Sequence, residues 1–255
     1  MGTIAKRPRK QRVDLLLVER DLVKSRTRAQ AAIMAGLVFS SERRIEKAGE
    51  TLAPDAPLEI RGPEHPWVSR GALKLEHAFD NFCIDATGLN CLDVGASTGG
   101  FTEVLLERGA ATVAAVDVGR GQLAWKLRGD PRVAVLEGRN ARSLTTADLP
   151  VPPELVVCDA SFIGLEKVLE TPLSLAASIC TLVALIKPQF QLSRDAVGKG
   201  GIVRDPARHA EACDHVRNWL AGIEGWKVEG IIESPITGAK GNKEFLIVAH
   251  RNRSV

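Results

Sequence analysis

Four charged residues stand at the ends of sequence elements rather than along helix faces: Lys74, Asp159, Lys187 and Glu244. Asp159 follows the apolar run Leu155-Val156-Val157-Cys158, and Lys187 follows the run that ends Leu185-Ile186. If both runs are parallel strands, the two residues lie at carboxyl ends, the edge where open α/β sheets bind ligands. Glu244 opens the run Phe245-Leu246-Ile247-Val248, whose start reaches the same edge if that strand runs antiparallel. Lys74 belongs to a helical stretch, Arg70 to Leu75, just before the first of these strands. Each residue alone reads as a solvated charge at a loop. Together on one edge, two amines and two carboxylates would form a candidate catalytic group.

A second feature lies between a strand and a helix, in Asp93-Val94-Gly95-Ala96-Ser97-Thr98-Gly99-Gly100-Phe101. Glycines at such a turn let the backbone approach a ligand, and the helix start offers unpaired N–H groups. The spacing G-x-x-x-G-G is neither the dinucleotide G-x-G-x-x-G nor a P-loop, which counts against NAD and ATP. Asp117, in Val116-Asp117-Val118-Gly119, ends the next strand about twenty residues on, where an acid can accept both hydroxyls of a ribose. A tight structural turn would explain the glycines alone; the added acid favours a nucleoside cofactor.

The elements that must position these residues alternate. Strands are expected at 91–95, 111–118, 133–136, 155–158 and 182–186, with helices at 101–108, 122–128, 165–177 and 206–223. Repeated β-α units argue a parallel, doubly wound sheet. Two last strands, near 228–233 and 243–250, suggest an antiparallel edge or insertion. Ahead of this lies a smaller α+β segment. Asp14 is placed to cap the apolar turn Leu15 to Val18. A second helix spans Arg26 to Ala35 and ends at Gly36, and extended pieces follow at 37–39 and 58–60. Proline and glycine around Gly62 to His65 mark a joint. The expected organisation is a basic tail at 1–11, a small domain at 12–62, a linker at 63–68 and an α/β domain at 69–255.

The chain has 255 residues, 45% apolar and 25% charged, enough for a substantial core and unlike a disordered or fibrous protein. The net charge of +3 is unevenly spread. Residues 1–62 hold 13 Lys+Arg against 8 Asp+Glu, and the remainder 21 against 23, an asymmetry expected when one module handles nucleic acid. The basic start lacks a following apolar core, and Thr171 to Ile186 is too short to span a bilayer. No signal peptide or membrane segment is therefore expected, and the expected location is the cytoplasm. Cys83, Cys91, Cys158, Cys180 and Cys213 form no C-x-x-C pair, and the histidines are scattered; reduced core cysteines and no metal site are expected.

The first sixty residues resemble the S4 RNA-binding domain in Arg12-Val13-Asp14, Leu22-Val23-Lys24-Ser25-Arg26, Ala29 and Gly36-Leu37-Val38, departing at Ser41-Glu42 where that family often has Asn-Gly. Lys6, Arg7, Arg9, Lys10, Arg12, Arg20, Lys24, Arg26, Arg28, Arg43, Arg44 and Lys47 are then the candidate RNA contacts, joined by Arg70. The glycine loop with Asp117 resembles the class I S-adenosylmethionine-dependent methyltransferase fold. This implies S-adenosylmethionine held by Asp93, Gly95, Ala96, Ser97, Thr98, Gly99, Gly100, Phe101, Asp117, Val118, Asn140 and Asp159. Lys74-Asp159-Lys187-Glu244 resembles the K-D-K-E tetrad of FtsJ-related ribose 2′-O-methyltransferases. That resemblance implies Lys187 as activator of a ribose hydroxyl, Asp159 as its orienting partner, and Lys74 and Glu244 as positioners. A second lysine and a sulfonium nearby would disfavour the charged form of the accepting amine.

The order of the two modules is similar to the TlyA-type bacterial rRNA cytidine 2′-O-methyltransferases, often named haemolysins. The similarity also rests on Val68-Ser69-Arg70-Gly71, Lys187-Pro188-Gln189-Phe190, Gly200-Gly201-Ile202-Val203-Arg204 and Gly241-Asn242-Lys243-Glu244-Phe245-Leu246. Gln191 stands where that family commonly has an acid. The implied function is methylation of 16S or 23S rRNA, with ribosomal RNA in its subunits as partner. Two alternatives carry less of the sequence: a non-catalytic RNA-binding or assembly factor on the same scaffold, and a membrane-active haemolysin.

Overall fold

The computed structural model describes residues 10–34, 36–61, 65–198, 200–238 and 241–252. It divides into two compact units, Met1–Pro66 and Trp67–Val255.

The first unit contains β1 (Gln11–Arg12), α1 (Val13–Glu19), α2 (Arg26–Met34), β2 (Val38–Ser40), β3 (Arg43–Arg44), β4 (Thr51–Leu52) and β5 (Glu59–Ile60). β1 pairs with β4, and β2 lies between β3 and β5, all antiparallel. Val13 and Leu17 of α1 and Ala29 and Ile33 of α2 recur at the i, i+4 spacing that aligns side chains on one helix face, and they pack with Val38 and Ile45. Gly36 takes φ +74°, the left-handed turn expected after α2.

Asp14 is not the cap that its position suggests. Arg12 occupies the cap site without a side-chain bond, and α1 has already begun at Val13. Asp14 is fully buried instead and accepts from Arg12 Nε and Nη2 at 2.9 Å, Arg26 Nε at 2.9 Å and Gln30 Nε2 at 3.2 Å. The Arg12 guanidinium, helped by Arg26 and Gln30, holds this carboxyl well below the usual range against the opposing effect of burial.

The second unit runs α3 (Gly71–Phe82), β6 (Asn90–Val94), α4 (Gly100–Glu107), β7 (Thr112–Asp117), α5 (Trp125–Arg128), β8 (Val133–Glu137), β9 (Leu155–Cys158), α6 (Leu165–Ser174), β10 (Ile179–Ile186), α7 (Pro188–Gln191), α8 (Pro206–Ala221), β11 (Trp226–Glu233) and β12 (Phe245–Asn252). Its seven-stranded sheet has the order β11-β12-β10-β9-β6-β7-β8. β10, β9, β6, β7 and β8 are parallel; β12 is antiparallel to both β10 and β11, so the last strand is inserted rather than added at the edge.

The strands read as unbroken apolar runs because both faces are covered. Leu92, Val94, Val156, Cys158, Leu182 and Ala184 face α6 and α8 through Leu165, Leu169, Val216 and Leu220. Their sequence neighbours Cys91, Leu155, Val157, Val183 and Leu185 face α3 and α4 through Leu75, Phe79 and Leu105. Burial pushes the thiols of Cys91, Cys158 and Cys180 up to about 12, so these unpaired cysteines behave as core side chains.

One expected helix is shorter than its pattern. The segment 122–128 is helical only from Trp125, because Ala124 is extended (ψ 139°) with its N–H donated to Thr98 O at 3.1 Å, while Glu137 accepts from the N–H groups of Gly121, Gln122 and Leu123 at 2.9, 2.9 and 3.0 Å.

Candidate active site

Register brings the four charges together. Ile186 of β10 pairs with Phe245 of β12, so Lys187 and Glu244, each one residue beyond, emerge at the same end of the sheet. Cys158 pairs with Val94 and with Ala184, which puts Asp159 at that end as well. Lys74, in the first turn of α3, is buried. The resulting chain of charge alternates: Glu244 Oε2 lies 2.7 Å from Lys74 Nζ, Lys74 Nζ lies 3.6 Å from Asp159 Oδ2, and Asp159 Oδ1 lies 2.6 Å from Lys187 Nζ. Two positive and two negative groups balance, which a set of mostly buried ions requires.

Close backbone approach makes room for this arrangement. A Cβ on Gly95 would lie 3.1 Å from the backbone of Ala160, so the glycine admits the segment after Asp159 as well as setting its own φ of +84°. A Cβ on Gly238 would collide with the Glu244 carboxylate. Asn242 anchors the same region, accepting from Val203 N at 3.0 Å and donating to Gly201 O at 2.9 Å.

The group walls a cleft of about 680 Å³ that also touches Ser69, Arg70, Ala96, Thr98, Phe101, Gln189 and Phe190. A second cavity of about 460 Å³ lies over the ends of β6 and β7, lined by Asp117, Val118, Gln122, Asn140, Ala141 and Ile163 among others. Gly95, Ser97, Asp159, Ser161 and Phe162 border both. The pair therefore offers one compartment of nucleoside size leading into another that holds the charged group. Phe162, 89% exposed and in left-handed backbone (φ +67°), stands at their common rim with its ring 5.1 Å from that of Phe190.

Not every residue of the glycine loop faces a cavity. Asp93 is fully buried and borders neither; its Oδ2 accepts from Thr102 Oγ1 at 2.7 Å, and its Oδ1 has no partner. Burial pushes this carboxyl up to about 7, with Thr102 opposing and Asp159 adding to the rise. Gly99 also turns away, since a Cβ there would strike Leu127 and Leu123. Asp117 accepts from Ser97 N at 2.8 Å and Gly119 N at 2.7 Å, so it shapes the loop while lining the second cavity. Asn140 lines that cavity too, and its side-chain oxygen caps the short turn 141–143 by accepting from Arg142 N at 3.0 Å.

These features have relatives. A family model described as FtsJ-like methyltransferase matches residues 67–251. The chain belongs to the FtsJ-like methyltransferase family. The TlyA protein of Mycobacterium tuberculosis (strain ATCC 25618 / H37Rv), named as a 16S/23S rRNA (cytidine-2′-O)-methyltransferase, is 45% identical over 240 residues, 94% of this chain and 89% of its own. Hemolysin A of Brachyspira hyodysenteriae is 37% identical over 236 residues, 92% of this chain and 98% of its own. A solved structure from Streptococcus thermophilus that carries a hemolysin name superposes with a TM-score of 0.73 at 38% identity, covering 98% of this chain and 90% of that one. The chain is accordingly a TlyA-type member of the FtsJ-like methyltransferases. Among the described residues, no helix is long and apolar enough to cross a membrane.

In this FtsJ-like methyltransferase the cations singled out in the sequence divide into two groups. Arg12 and Arg26 are tied to Asp14, Arg43 bonds Glu50 at 2.5 Å, Arg44 lies 3.9 Å from Glu46, and Arg20 donates to the carbonyls of Ala56 and Pro54. Lys10, Lys24, Arg28 and Lys47 are exposed and have no acidic partner among the described residues. Arg70 is exposed at the start of α3 and lines the charged cleft. Lys6, Arg7 and Arg9 lie outside the described residues.

Two residues that sequence reasoning passed over matter to the methyltransferase site. Ser161 Oγ lies 2.7 Å from Lys187 Nζ, and the spacing Asp-x-Ser was its only signal. Glu137 ends β8 as Asp117 ends β7, but its carboxylate gathers three backbone N–H groups and Arg128, which lower it to about 2.

Proposed function

We propose that this chain methylates the 2′-hydroxyl of a cytidine in ribosomal RNA, with S-adenosylmethionine as methyl donor. The observation that carries the reading is the chain Glu244–Lys74–Asp159–Lys187 lining a cleft that adjoins a nucleoside-sized cavity, with Asp159 bordering both. The cavity over β6 and β7 suits a nucleoside: Asp117 keeps lone pairs for ribose hydroxyls, Val118 and Ile163 offer apolar flanks for a base, and Asn140 offers an amide. Ser97 and Gly95 border its passage into the charged cleft. When bound there, S-adenosylmethionine supplies a methyl group on a sulfonium.

The protein's own work is then alignment and proton removal. A ribose hydroxyl is a poor nucleophile, and Lys187, oriented by Asp159, is the group placed to accept its proton. Lys74, fixed by Glu244, holds Asp159 from the other side. The exposed ring of Phe162, braced against the half-buried Phe190, offers a face on which a base entering the cleft can stack. We read the first unit as an S4-like RNA-binding module whose Lys10, Lys24, Arg28 and Lys47 meet rRNA phosphates, with Arg70 doing so beside the cleft. Such a reaction belongs in the cytoplasm, with the ribosomal subunits.

The test uses purified ribosomal subunits, a labelled methyl donor and mapping of 2′-O-methylated nucleotides. Lys187→Ala is expected to lower the single-turnover rate by about 10²–10⁴-fold while binding S-adenosylhomocysteine as the parent does. Unchanged methylation by this variant, or no ribose methylation of either subunit by the parent, sinks the reading.

A further inference from the structure

Lys187 Nζ has three polar neighbours: Asp159 Oδ1 at 2.6 Å, the Asp159 carbonyl oxygen at 3.3 Å and Ser161 Oγ at 2.7 Å. As an ammonium group, Nζ donates to the Asp159 carbonyl and to Ser161 Oγ and forms an ion pair with Asp159 Oδ1, which lies outside hydrogen-bond geometry. To accept a proton it must be a neutral amine, with two N–H bonds and one lone pair. A carboxylate and a carbonyl can only accept and repel a lone pair, so the N–H bonds turn toward Asp159, one of them donated to its carbonyl oxygen. The lone pair then faces the one neighbour of the three that owns a hydrogen, the hydroxyl of Ser161.

The placement of Ser161 agrees with this. Lys187 is buried, whereas Ser161 is exposed and borders both the charged cleft and the nucleoside-sized cavity. The backbone reverses immediately afterwards through the left-handed Phe162, a conformation costly for an aromatic residue. Gly95 admits the Asp159–Ala160 backbone that leads into it. The loop is thus held in an unfavourable shape that sets a hydroxyl beside the amine on the cleft wall, at the border with the nucleoside-sized cavity that Lys187 does not reach.

We propose that Ser161 is a proton relay between the ribose hydroxyl and Lys187, an inference that rests on the methyl-transfer reading above. As the O2′–CH3 bond forms, the O2′–H bond breaks and its proton passes to Ser161 Oγ. Ser161's own proton passes to Lys187 Nζ, and the electron pair of the S–CH3 bond returns to the donor's sulfur. The ammonium group formed keeps its hydrogen bond to the Asp159 carbonyl and its ion pair with the carboxylate, and gives its proton to water after the product leaves.

The experiment compares the parent, Ser161→Ala, Ser161→Thr and Lys187→Ala on ribosomal subunits under single-turnover conditions, with S-adenosylhomocysteine affinity measured by calorimetry. The relay predicts that S161A loses about 10²–10³-fold in rate with an unchanged half-saturating RNA concentration and cofactor affinity. S161T, which keeps a hydroxyl, is expected to recover to within about tenfold of the parent, in line with general acid–base behaviour. In mixed light and heavy water the parent should show a curved proton inventory, two protons moving together. An S161A rate close to the parent, or a loss confined to RNA half-saturation, overturns the relay. A fully active K187A overturns the relay as well, whereas no ribose methylation of either subunit by the parent overturns the methyl-transfer reading, so the two failures are distinguishable.

Discussion

Asp93 shows how one side chain sets a pH dependence. Its carboxyl, enclosed beneath the glycine loop and pushed up to about 7, keeps its proton in the folded state over a range where the unfolded chain has released it. Between about pH 4 and 7 the native state therefore binds the extra proton, and stability of the second unit falls as pH rises, by up to about 1.4 kcal/mol per pH unit. Asp93→Asn is expected to flatten that slope. Thermal melts at pH 5, 6 and 7 check it, and parallel slopes in parent and variant would refute the assignment. All four tryptophans, Trp67, Trp125, Trp219 and Trp226, lie in the second unit, so indole fluorescence reads its melting alone. Asp14 acts in the opposite sense. Its lowered carboxyl stabilises the first unit above about pH 4, and that contribution is lost as acid protonates it.

At the scale of elements, the site is a product of strand order. Asp159 and Lys187 were legible because apolar runs of strand length end directly before them, and Glu244 because its run had to reverse direction to reach the same edge. The insertion of β12 between β10 and β11 was less so, since hairpin strands carry no label for which one pairs inward. Asp14 misled because an acid before an apolar turn looks like a cap, and only packing reveals two arginines converging on it. Ser161 and Glu137 stayed hidden because their roles depend on loop shape. The glycines were legible as a turn, but not the division of labour within it. Gly95→Ala tests that division: a left-handed residue pressed on the Ala160 backbone should cost about 1–3 kcal/mol and displace Asp159 and Ser161 together. Melting temperature, cofactor affinity and rate should then all fall, whereas a loop serving only the cofactor would leave the rate at saturation intact.

For the whole molecule, the uneven charge is the main lever. The excess of 13 basic over 8 acidic residues in 1–62 shrinks in effect once Arg12, Arg26, Arg43 and Arg44 are committed to carboxylates. The exposed cations that remain, if they meet rRNA phosphates, make affinity for subunits fall with salt, by a slope of about 0.7–0.9 in log–log units per contact. Lys24→Ala, Arg28→Ala and Lys47→Ala together should lower that slope by about two to three, with no change in S-adenosylhomocysteine affinity. Filter binding from 50 to 200 mM salt measures it, and an unaltered slope removes these residues from the RNA face.

The insertion of β12 also sets an order of assembly during synthesis. Translation releases Lys74, Asp159 and Lys187 well before Glu244, and the first unit before all of them. Until β12 emerges, β10 presents Leu182, Val183, Ala184, Leu185 and Ile186 along an unpaired edge, the kind of strand that templates aggregation. A growing chain can thus hold a complete first unit while its four-charge group still lacks a carboxylate and its sheet lacks an inner strand. The first unit is complete before the charged group is, and ribosomes that stall in this window release a product prone to self-association.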